Sequence, residues 1–101
     1  MKKIINGKKY NTETAECLGS DSHLYRGDLD FWNKELYRKK TGEFFIYGEG
    51  GPRSEYGREV GQNSWSGGED ITPLTEDEAK KWAERHLDVD EYEAIFGEVE
   101  E

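Results

Sequence analysis

Short apolar runs separated by turn residues fill the first half of the chain, and a helical period of apolar positions appears only near its end. Ile4-Ile5, Asn6-Gly7 and Lys8-Lys9-Tyr10 read together as a β-hairpin, because Asn-Gly supplies the two positive-φ residues of a type I′ turn. Asn11 to Gly19 reads equally as a short helix, capped by Asn11 or Thr12 and stopped by Gly19, or as a continued strand. His23 to Asp30 reads as a loop. Phe31 to Lys40 and Glu43 to Gly48 make a second hairpin through Lys40-Thr41-Gly42, with Gly42 in the left-handed conformation of a bulged turn. Strand alternation sends Leu36 away from Tyr37, and Phe45 away from Phe44 and Ile46, so both faces of the sheet carry apolar groups.

From Thr75 the period changes. Thr75 and Glu78 have capping-box spacing, Leu74 is placed to staple the entry, and Ala79, Trp82, Ala83, His86 and Leu87 share one stripe. Asp88 and Glu91 repeat the box, Val89, Tyr92, Ile95 and Phe96 give a second stripe, and Gly97 is a stop. The expected fold class is therefore α+β: an antiparallel sheet of two hairpins in the N-terminal two-thirds, packed against one or two short C-terminal helices. Trp82 is expected to be largely buried in that packing. The expected organisation is a single domain over residues 1–97, followed by an acidic tail over 98–101.

Composition supports a small folded domain. With 101 residues, roughly 60 to 65% of the unfolded surface can be buried, enough for one core. Apolar residues make up only 33% and charged residues 37%, but thirteen aromatics raise the burial available per residue. No apolar run approaches the ~20 residues of a membrane span, and nothing near Met1 resembles a signal-peptide core, so a cytoplasmic protein is expected. Cys17 is the single cysteine and has no intramolecular partner for a disulfide.

The net charge of −9 is unevenly distributed. Met1 to Gly68 holds 11 basic and 10 acidic residues, whereas Glu69 to Glu101 holds 3 and 13. Such a segment repels nucleic acid and attracts basic protein surfaces, although acidic helices also serve solubility alone. Glu76, Asp77, Glu84, Asp90, Glu91 and Glu93 lie off the apolar stripes and are the candidate partner-binding residues, with Trp65 as an aromatic anchor. Glu76, Asp77, Asp90 and Glu91 also suit the helix dipole at the two N-termini.

Gly48 to Gly68 invites a search for a phosphate site. It lacks the GxxxxGK[ST] order, and a GxGxxG reading from Gly48 and Gly50 meets Arg53 where the third glycine belongs. It reads as a long surface connection that binds no nucleotide, with Trp65 tucked beneath it in preference to projecting from it. Cys17 with His23 or His86 is the only thiol and imidazole combination, but His86 falls on the apolar stripe and reads as a core-edge residue. Asp21, His23, Asp28 and Asp30 lack metal-ligand spacing. Lys2-Lys3, Lys8-Lys9 and Arg38-Lys39-Lys40 read as solvated hairpin ends more than as phosphate contacts. No catalytic, metal or cofactor residue is expected.

The runs LYRKKTGEFFIYGEGG and GQNSWSGGEDITPLTEDEAKKWAERHLDVDEYEAIFG resemble a family of small acidic proteins carried by phages, plasmids and integrative elements of Gram-positive bacteria. The likeness extends from NGKKYNTETAE to Gly97. That group is associated with anti-CRISPR inhibitors of type II effector nucleases. The resemblance implies a non-enzymatic inhibitor whose acidic surface engages a basic host protein, a CRISPR effector nuclease or its guide complex, and blocks guide RNA or target DNA engagement. It transfers no residue roles to this chain. The alternative is a mobile-element regulatory or antitoxin-like interaction module.

Overall fold

A computed structural model describes every residue from Met1 to Glu101. Strands β1 (Lys2–Ile5), β2 (Lys8–Asn11), β3 (Glu16–His23), β4 (Trp32–Arg38), β5 (Phe44–Gly50), β6 (Arg58–Gly61), β7 (Ser64–Ser66) and β8 (Gly68–Leu74) precede helices α1 (Glu76–His86) and α2 (Val89–Phe96). All pairings are antiparallel. The central sheet has the order β3-β4-β5-β8, while β1-β2 and β6-β7 are separate two-stranded ribbons. The chain is thus an α+β domain with its two helices at the C-terminal end.

Three layers follow from the alternation along β4 and β5. On one face Tyr37 and Phe45, with Ile71 of β8, pack against Tyr10 of the β1-β2 ribbon. Phe45 stacks on Tyr37 at 5.2 Å and meets the Tyr10 ring edge-on at 5.5 Å. On the other face Leu36, Phe44 and Ile46 pack against Ala79 of α1, bordered by Trp82, Ile95 and Phe96. Leu36 and Phe45 point to opposite faces and are both fully buried. At about 1.5–3 kcal/mol per large apolar side chain, this two-sided burial offsets the low apolar content.

Local chemistry sets the boundaries. Asn6 (φ 51°) and Gly7 (φ 77°) make the positive-φ turn of the first ribbon. Gly42 (φ 93°) closes the β4-β5 turn, where its amide donates to the Lys39 carbonyl. Thr75 caps α1 and Asp88 caps α2, each in a complete capping box with Glu78 and Glu91. Leu74 and Ala79, the two sides of the staple, lie in the same apolar cluster.

Three regions differ from the sequence expectation. Residues after Asn11 form a turn, with the Asn11 carbonyl accepting from the Thr14 and Ala15 amides, and β3 begins at Glu16; the open edge of β4 favours strand over helix. Gly48 to Gly68 is an ordered excursion that completes β5 and contains the β6-β7 ribbon. The last strand, β8, lies at the sheet edge, where Pro73 removes no needed donor. The main sheet therefore consists of the second hairpin flanked by β3 and β8, and the first hairpin covers it as a separate layer.

Candidate functional site

The glycine-rich segment brings chain close to chain. A Cβ at Gly48 would fall 1.8 Å from the Tyr56 hydroxyl, one at Gly57 would fall 2.1 Å from the Pro52 carbonyl, and one at Gly51 would meet the Asp28 and Leu29 carbonyls at 2.7 Å. Tyr56 lies over Gly48, and its burial there pushes the phenol up to about 12. The depression beside this segment, about 420 Å³, is lined by Arg26, Phe31, Glu49 and Glu69 among others. Arg26 crosses the Phe31 ring and pairs with Glu49, while the Tyr47 hydroxyl lies 2.6 Å from Glu69 Oε2 and 3.0 Å from Glu49 Oε2. Burial and these two carboxylates hold the Tyr47 phenol far above its ordinary range. An incoming phosphate would meet the acidic residues Asp28, Glu49 and Glu69 and a single, already paired guanidinium.

The thiol and imidazole candidates are kept apart. Cys17 pairs in register with Tyr37 on the ribbon side of the sheet, and burial pushes its thiol up. His86 lies on the helix side, stacked on Trp82 at 4.6 Å and edge-on to Trp32 at 6.0 Å, with Nδ1 2.8 Å from Asp21 Oδ2. It is half-buried at the edge of the core. His23 extends the ring series by stacking on Trp32 at 5.8 Å. No three His, Cys, Asp or Glu side chains are gathered in a group able to hold a metal ion. Asp30 pairs with Arg53, and Asp28 accepts the Asp30 amide.

The acidic C-terminal segment behaves differently from the sheet. In the sheet and its ribbons, Glu16, Asp30, Glu43, Glu49, Glu55 and Asp70 each have a Lys or Arg partner. No carboxylate from Glu76 to Glu101 takes part in an ion pair. Glu76, Asp77, Glu84, Asp90 and Glu91 are exposed, and Glu93 is half-buried. Two of these have internal duties: Glu91 completes the second capping box, and Glu93 Oε2 accepts the Val99 amide at 2.8 Å. Hydrogen bonds from Thr75 hold the Glu78 carboxyl below its usual range.

Trp65, on β7, is 58% exposed, so it projects from the excursion and does not tuck beneath it. Its cross-strand neighbour is Glu59, and no aromatic ring or cation stacks on it. The basic clusters are largely engaged: Lys3 with Asp70, Lys8 with Glu43, Arg38 with Glu16, and Lys39 both with Glu43 and above the Tyr10 ring at 3.6 Å. Sequence reasoning did not find the groove between α1, α2 and the last residues. Its only sequence signal is Val99, an apolar residue among glutamates. No helix is long and apolar enough to cross a membrane. Compared with family models, with curated proteins and with solved structures, the chain matches none.

Proposed function

We propose that this chain is a non-enzymatic inhibitor whose C-terminal helices present an acidic surface to a basic host protein, a type II CRISPR effector nuclease, and compete with its guide or target nucleic acid. The observation that carries the reading is the segregation of charge. Residues 1–75 pair six of their twelve carboxylates with Lys or Arg, whereas the helices and the residues after them leave eleven carboxylates from Glu76 to Glu101 without an ionic partner and only three cations among them. Exposed like charges retained on one side of a small domain create a field that steers association with an oppositely charged channel. Effector nucleases hold guide and target in such channels.

The test is DNA cleavage by a purified type II effector with its guide, titrated with this chain. Glu84→Lys with Asp90→Lys reverses two exposed charges that have no hydrogen-bond partner, and should weaken inhibition by about tenfold at low salt, less as salt rises. Lys2→Glu with Lys9→Glu and Lys40→Glu, all exposed and outside every ion pair, should leave inhibition intact. Loss of inhibition in the basic set with retention in the acidic set would move the interface to the ribbon side. A regulatory or antitoxin-like partner would use the same surface, and leaves effector cleavage unaffected at any dose.

A further inference from the structure

The groove between α1 and α2 combines apolar lining with unbalanced charge. Leu87, Val89, Tyr92 and Val99 line a depression of about 360 Å³ together with Ala83. Val89 is 71% exposed and Val99 is 56% exposed, although both belong to an otherwise polar segment. Around them stand Glu84, Asp88, Glu93 and Glu100, and no cation lines the groove. Asp88 and Glu93 are oriented by the Glu91 and Val99 amides, which fixes their carboxylates at the rim. Leu87 and Tyr92 occupy the two staple positions of α2, so the floor is set by the same local chemistry that starts the helix.

We propose that this groove is the docking site for a cationic amphipathic helix of a partner protein, with an aliphatic side chain entering between Val89 and Val99 and Lys or Arg groups answering the rim. The charge excludes an acidic occupant, and the apolar lining distinguishes the site from a purely electrostatic face. A helix laid in a groove reads as anchors at i, i+3, i+4 and i+7. Its flanking cations reach a four-carboxylate rim without leaving a buried charge unpaired. The proposal rests on the acidic-surface reading of the helices and adds to it a position and a shape.

The probe is a synthetic helical peptide of about 15 residues with Leu at i, i+3, i+4 and i+7 and Lys or Arg elsewhere. A scrambled peptide of identical composition is the control. Binding to the full chain is followed by amide NMR. The patterned peptide should shift amides at residues 87–93 and 99, bind more tightly than the scrambled one, and keep part of its affinity in high salt because apolar contact is not screened. Val89→Asp alters an exposed side chain, so it should leave the thermal midpoint unchanged while weakening the peptide by about tenfold. Glu84→Lys with Glu100→Lys should weaken it as well. Equal binding of both peptides, indifference to Val89→Asp, or shifts confined to other faces would overturn the proposal. So would concentration-dependent shifts of the groove amides in the free chain, which would make a second copy the occupant. Patterned binding with no effect on effector cleavage sustains the groove and sinks the inhibitor reading; inhibition with indifference to Val89→Asp in both assays does the reverse.

Discussion

Trp82 is held by opposing demands. Its ring stacks on His86 and borders the cluster of Leu36, Phe44 and Ile46, yet its Nε1 is buried with no hydrogen-bond acceptor. Trp82→Ala should cost about 3 kcal/mol by loss of burial and cavity formation, whereas Trp82→Phe removes the unsatisfied donor with the ring largely kept and should cost less than half as much. Equal losses on chemical denaturation would mean that the indole N–H finds a partner in solution. Glycines give a second contrast. A Cβ at Gly57 would meet the Pro52 carbonyl at 2.1 Å, while at Gly61 the nearest atom is a side-chain carbon 3.8 Å away. Gly57→Ala should therefore destabilise by about 2 kcal/mol and Gly61→Ala by well under 1, measured by the same denaturation. Which glycines are crowded cannot be read from the sequence, because Gly57 meets Pro52 only through the path of the excursion.

At the scale of elements, local chemistry was legible and distant pairing was not. Asn6-Gly7, Thr75 with Glu78, and Asp88 with Glu91 each carry their partner within three residues, so the turn and both helix starts follow from sequence. The β3 and β8 strands have weak alternation of their own, and become strands because β4 and β5 offer unpaired edges. The β1-β2 ribbon is tied to the sheet by Lys3 to Asp70 and Lys8 to Glu43. The hydrogen bond from Lys3 holds the Asp70 carboxyl below its ordinary range, and that from Lys8 does the same for Glu43. A depressed carboxyl contributes stability that is complete above the unfolded carboxylate pKa and is lost as pH falls through the folded one. The thermal midpoint should thus be flat above about pH 5 and fall below about pH 4. Asp70→Asn should lower the plateau and shallow the fall; an unaltered slope would remove this pair from the acid response.

At the scale of the whole molecule, three layers separate two kinds of charge. The ribbon side carries basic residues, of which Lys3, Lys8 and Lys39 are held in pairs, and the helix side carries acid from Glu76 onward without ionic partners. That imbalance was legible, since it is a count along the chain. Its three-dimensional form was not, because the groove depends on how α2 turns back on α1 and on where Val99 is placed by Glu93. Trp65 was legible as an anchor candidate only through its small polar neighbours, and its exposure follows from lying on a ribbon outside the main sheet.

Gly50 and Gly68 face one another as register partners of β5 and β8. The chain therefore leaves the sheet and returns to it at one point, and residues 51–67 form a closed detour through which no strand order is transmitted. In evolutionary terms such a detour is a slot. Only at its tip, residues 59–65, which is exposed throughout, can length and side chains be exchanged while β5 and β8 keep their register, whereas Tyr56 over Gly48 and Gly51 against the Asp28 and Leu29 carbonyls tie the base of the detour to its surroundings.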